Sequence, residues 1–89
     1  MKLVLYSKEN CCLCEGLIVK LQQVKSPSFQ LEIREINSNP HWVELYQYEV
    51  PVLCILKEDQ AGQIEEQELP RVAPRSPVSE LAELLQRYI

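Results

Sequence analysis

No apolar run in this 89-residue chain approaches the roughly 18 residues that a membrane span requires, so a soluble protein with no membrane partner is expected. Excess positive charge is missing too. The formal charge is −4, and the acids gather late in the chain at Glu58, Asp59, Glu65, Glu66 and Glu68. Nothing in that balance attracts a phosphate backbone, which argues against nucleic acid as a partner, and the acidic run reads as a solvated face. Met1 to Tyr6 carries one positive charge and falls short of the roughly 7 to 15 apolar residues of a signal peptide. A cytoplasmic setting follows as the expectation. Repeats, low-complexity segments and linkers are also absent, so residues 1–89 read as one small domain and a monomer. That length supports a core without obligatory disulfides or metals.

What is present is a regular alternation of strand and helix patterns. Lys2 to Tyr6 is a short apolar run closed by Ser7-Lys8-Glu9-Asn10, a buried strand and its loop. Leu13, Leu17, Ile18, Leu21 and Val24 then fall at helical spacing until Ser26-Pro27-Ser28 stops them. Phe29 to Ile36 alternates apolar and polar residues, the period of an edge strand with one wet face. Asn37-Ser38-Asn39-Pro40 provides an N-cap and a first-turn proline for a short helix, His41 to Tyr48. Val50 to Leu56 is nearly continuously apolar, a central strand with its proline confined to the first position, where a missing N–H is tolerated. Lys57 to Gly62 turns the chain into Gln63 to Leu69, an antiparallel hairpin partner. Pro70, Pro74 and Pro77 punctuate a loop, and Ser76 as N-cap with Pro77 at the first helical position opens a helix striped by Val78, Leu81, Leu84, Leu85 and Tyr88. The order is βαβαββα, with the first two strands parallel and the last two antiparallel.

Three of the four cysteines lie within Cys11 to Cys14, where the first strand gives way to the first helix. A pattern of that kind disfavours a stapled secreted fold, because most pairings within it violate disulfide geometry. A free cysteine with a pKa near 8.5 is only about 3% thiolate at pH 7, so a reactive one needs an activating environment. The unsatisfied amides and positive dipole end of a helix provide one. Cys11, at the helix start, is therefore the candidate nucleophile, and Cys14, one turn deeper, the resolving thiol. Lys8 stands three positions before Cys11 as a candidate cation near the thiolate. Cys12 is an accessory thiol or an exposed spacer. Cys54, inside the most apolar strand, reads as core. The lone His41 and Cys54 form no second closely spaced pair, which argues against a closed zinc site, and no metal is assigned. His41 reads as a surface or capping residue, and Trp42, Tyr46 and Tyr48 as helix-spaced aromatics.

Tyr6 to Cys14, Val50-Pro51 and the βαβαββα order together resemble the thioredoxin fold, and within it the short bacterial glutaredoxin-like proteins, with Leu13-Cys14-Glu15 and Tyr48 to Leu53 as the nearest matches. The resemblance implies an α/β domain with a four-stranded mixed sheet in the order 2-1-3-4. Three helices flank it, the first and third on one face and the second on the other. It implies a cis bond at Pro51 opposite the CxxC, a substrate-pairing backbone at Val50, and a lysine matching Lys8. Cys12-Leu13 stands where glutaredoxins carry Pro-Tyr, Glu49 where they carry Thr, and their glutathione-facing glycine pair has no counterpart beside Pro70 to Pro74.

The function so implied is a small thiol–disulfide oxidoreductase that reduces protein or low-molecular-weight disulfides through Cys11 and Cys14. It needs no bound cofactor, and an outside dithiol or glutathione serves as reductant. Two other readings stay open: a non-catalytic thioredoxin-fold module binding a partner through Val50-Pro51, and a metal-handling protein using Cys11, Cys12 and Cys14.

Overall fold

The computed structural model describes residues 2–25, 28–71 and 75–88. Ser26 and Pro27, expected to stop the first helix, and Pro74 of the proline-punctuated loop lie outside them. The sheet is built on β1 (Lys2–Ser7), where Leu3, Val4 and Leu5 are fully buried and Tyr6 nearly so. A strand covered on both faces belongs in the middle of a sheet. β1 pairs in parallel with β2 (Gln30–Glu35) and antiparallel with β3 (Val52–Glu58), and β3 pairs antiparallel with β4 (Ile64–Glu68). The resulting order, β2-β1-β3-β4, is the expected one.

Alternation along β1 divides the core in two. Leu3 and Leu5 face α1 (Cys12–Gln23) and α3 (Val78–Arg87), packing with Leu21, Leu53, Ile55, Leu81 and Leu85. Val4 and Tyr6 face α2 (Pro40–Tyr46), packing with Ile36, Val52 and Cys54 and with the half-buried Trp42 and Tyr46. Asn39 caps α2 by accepting the His41 N–H at 2.9 Å, with Pro40 in the first turn. At the β3–β4 turn, Gly62 takes φ +81°, a left-handed conformation that costs glycine little. The Asp59 carboxylate accepts the Ala61 and Gln63 N–H groups there.

Several boundaries differ from the sequence expectation, among them the second helix, expected over His41 to Tyr48 and found over Pro40–Tyr46. β3 begins at Val52, because Pro51 lacks the N–H a ladder needs, and it runs on to Glu58 to pair with β4. A 3-10 turn, Ile36–Ser38, separates β2 from α2. Ser76 does not cap α3: Pro77 holds the N-cap position in extended conformation with no side-chain cap bond, and the Ser76 carbonyl instead accepts Lys20 Nζ at 2.7 Å.

The late acidic run is only partly a solvated face. Glu66 of β4 accepts the Tyr6 hydroxyl at 2.8 Å, and Arg34 of β2 donates to that hydroxyl and to Glu66. Arg34 also bonds Glu32 and lies 5.6 Å over the rings of both Tyr6 and Trp42. Side chains from β1, β2 and β4 are thus tied together across the sheet. Burial and the bond to Glu66 push the Tyr6 hydroxyl pKa up to about 12.

Two expected outcomes follow from this packing. Leu81→Ala empties a fully buried site between α3 and the sheet and costs about 2 to 5 kcal/mol, readable from urea unfolding. The raised Tyr6 pKa favours the neutral phenol in the folded state, so its contribution is complete below pH 10 and fades as pH climbs towards about 12. Cys54 and Tyr46, also raised, add slopes of the same sign. Unfolding free energy measured from pH 9 to 12 should therefore fall less steeply in Tyr6→Phe than in the parent, and equal slopes would contradict the assignment.

Candidate functional site

Asn10, immediately before the first helix, adopts φ +59°, the left-handed region that asparagine enters more readily than most non-glycine residues. This turn brings Cys11 to the N-cap of α1. Its Sγ accepts the Cys14 N–H at 3.2 Å, and its carbonyl accepts the Glu15 N–H at 3.1 Å. Sulfur here takes the place an N-cap oxygen usually fills. Cys11 and Cys14 pair as a disulfide, with Cα atoms 5.2 Å apart. Cys14 is buried, and Cys12 between them is exposed and carries a free thiol.

The antiparallel register sets Tyr6 opposite Val52, so the end of β1 lies beside the start of β3. Val50 and Pro51, joined by a cis peptide bond, are thereby carried to the same end of the sheet as the start of α1. Between the two runs a groove of about 580 Å³, walled by Cys12, Leu13, Leu17, Val50, Pro51 and Leu69. Gly16 contributes a bare patch of helix, where an added Cβ would meet nothing within 4 Å.

The candidate residues therefore divide. Cys12, Val50 and Pro51 share the groove, and Cys11 and Cys14 stand on the helical turn that forms one of its walls. Lys8 lies apart from it, its Nζ 3.5 Å from the Gln47 carbonyl beyond α2. His41 is exposed and Tyr48 almost wholly so. Among the described residues, no group of three or more His, Cys, Asp or Glu side chains is placed to hold a metal ion.

One feature of the groove has no trace in the local sequence pattern. Arg71 Nη2 donates to both the carbonyl and the carboxylate of Glu49, the latter at 3.0 Å, and so links the segment after β4 to the residue preceding Val50-Pro51. Its only sequence signal is that Glu49 departs from the glutaredoxin pattern. Cys54 lies in the other half of the core, where burial, with Glu66 and Glu68 nearby, pushes its thiol up to about 12.

This sheet order, with helices on both faces and a CxxC at the first strand–helix junction, defines a thioredoxin-like fold. The chain matches the glutaredoxin-like domain (DUF836) over residues 2–86 and belongs to that family. It is similar to the solved structure of the structural-genomics target protein XcR50 from X. campestris, with 25% identity, a TM-score of 0.60 and 96% of each chain covered. Thioredoxin 1 from Thermosipho africanus shares 24% identity at a TM-score of 0.63, covering 99% of this chain and 93% of its own. The Trx4 domain of ERdj5 shares 12% at 0.65, covering 98% and 77%, and supports the fold alone. No curated protein matches the chain. None of the described helices is long and apolar enough to cross a membrane.

The unequal burial of the cysteines has a direct readout. Iodoacetamide at neutral pH should label the oxidised native protein at Cys12 alone, add Cys54 on unfolding without reductant, and reach all four cysteines after reduction, as counted by mass. Labelling of native Cys54 at the rate of Cys12 would contradict the assignment.

Proposed function

We propose that this chain is a small cytoplasmic thiol–disulfide oxidoreductase. The observation that carries the proposal is Cys11 Sγ at the N-cap of α1, accepting the Cys14 N–H while within bonding reach of the Cys14 sulfur. A helix end that presents an amide hydrogen to sulfur stabilises a thiolate over a thiol. In the reduced protein, the Cys11 thiolate attacks one sulfur of a substrate disulfide, forming a mixed disulfide and releasing one substrate thiolate. Cys14, deprotonated, then attacks the Cys11 sulfur, releasing the second substrate thiolate and closing the Cys11–Cys14 bond. Two electrons pass to the substrate, and an external dithiol or glutathione returns them.

On this reading Val50 and Pro51 form the wall against which substrate lies, Cys12 is an accessory thiol beside it, and Lys8 adds positive charge to the loop before Cys11. The family assignment supports a redox role for such a pair. A non-catalytic module would present the same Val50-Pro51 wall but would not turn over. Cys11→Ser should reduce disulfide reduction to the uncatalysed rate. Cys14→Ser should retain the first step and accumulate a mixed disulfide at Cys11, visible by mass. Undiminished turnover in Cys11→Ser would overturn the proposal.

A further inference from the structure

The groove beside the CxxC differs from a glutathione site in its chemistry. Apolar side chains from three segments form its body: Leu13 and Leu17 from α1, Val50 and Pro51 before β3, and Leu69 and Pro70 after β4. Its charged walls are Lys20, Arg71 and Glu68, and both cations are already engaged. Lys20 Nζ donates to the Ser76 carbonyl at 2.7 Å, and Arg71 is held by the carbonyl and carboxylate of Glu49. With Glu49 and Glu68 set against Lys20 and Arg71, the charges balance. Glutathione brings two carboxylates and one ammonium. Its carboxylates would leave water for a wall where each cation already has an acceptor, and that desolvation would go uncompensated. An uncharged apolar peptide loses little on entering, and it gains from every apolar atom it covers.

We infer that the groove selects a protein disulfide whose cysteine is flanked by apolar residues, and that it discriminates against glutathione disulfide as the oxidant. This rests on the oxidoreductase reading and names the substrate class of that site. The flanking segment lies between α1 and the Val50-Pro51 wall, and its cysteine sulfur meets the thiolate of Cys11. The electron balance is that of the exchange above: the Cys11–Cys14 dithiol is oxidised, the substrate disulfide becomes two thiols, and an external dithiol restores the pair.

The test compares second-order rate constants for oxidation of the reduced protein by three disulfides, with Cys11–Cys14 formation followed by acid quench and mass. The oxidants are a peptide disulfide with Leu and Val flanking the cysteine, the same peptide with Asp and Ser there, and glutathione disulfide. The apolar peptide should react at least about tenfold faster than either of the others. Leu13→Glu puts a charge on the exposed helical wall, and Gly16→Phe fills the bare patch without a clash at its Cβ. Each should bring the apolar peptide to within about twofold of the polar one, with folding checked by thermal unfolding. Glutathione disulfide reacting as fast as the apolar peptide, or both variants keeping the full preference, would overturn the groove inference and leave the oxidoreductase reading standing. Failure to react with all three would overturn that reading, and the inference with it.

Discussion

The first amides of a helix have no carbonyl behind them, and the start of α1 answers that need with sulfur. Cys11 Sγ accepts the Cys14 N–H because Asn10 turns the chain through the left-handed region and leaves Cys11 extended at the N-cap. A serine there would satisfy the same amide equally well. The cysteine adds the capacity to reach the sulfur one turn on, so local folding chemistry and proposed redox chemistry use one atom. Cap and disulfide share a geometry: the spacing that places residue 14 over the helix end also sets the two Cα atoms 5.2 Å apart, inside the range a disulfide spans.

Everything else serves to hold a second wall opposite that helix end. β1 is buried on both faces, so it occupies the centre of the sheet, and its antiparallel register with β3 brings residues 50–52 level with Tyr6 and Ser7. The groove lies between α1 on one side and residues 50–53 on the other, and is edged by Leu69, Pro70 and Arg71. Leu69 N–H donates to the Leu53 carbonyl at 2.9 Å, so the far edge stays in line with the ladder beyond the end of β4. Arg71 then fastens that edge to Glu49. An exposed ion pair contributes little to stability by itself. Its value here is positional, because it links the two segments bordering the Val50-Pro51 wall.

Much of this was legible in the sequence because it is written in short-range patterns. The apolar run of Leu3 to Tyr6, the Asn39-Pro40 helix start and the stripe through Leu81 and Leu85 are local signals, and each gave the right element. The Cys11/Cys14 spacing gave the paired cysteines. Contacts between distant side chains were not legible. Glu66 reads as one more surface acid until β4 takes its place beside β3 and the Tyr6 hydroxyl comes within 2.8 Å. Glu49 and Arg71 are 22 positions apart, and no periodicity joins them. Ser76 misled because its type suits an N-cap, whereas Pro77 with ψ 161° sits outside the helix and takes that position itself. β3 started late for a related reason: Pro51 can occupy a strand-like segment without donating to a ladder.

The four cysteines show how far environment separates identical side chains. Cys54 faces the α2 half of the core beside Val4 and Tyr6, where desolvation first, and the nearby Glu66 and Glu68 next, oppose a thiolate. Its pKa near 12 keeps it a small hydrophobe at any physiological pH. Cys14 is equally buried but faces the helix end and has Cys11 as partner, so burial there shelters a bond where in Cys54 it silences a thiol. Cys12 takes no part in either core: the helix turns it outward onto the groove wall. A reaction confined to Cys11 and Cys14 therefore requires no chemical difference among the residues. It requires that the sheet bury one thiol among apolar and acidic neighbours, and that α1 turn a second outward onto the groove wall, too close in sequence to Cys11 for an unstrained ring.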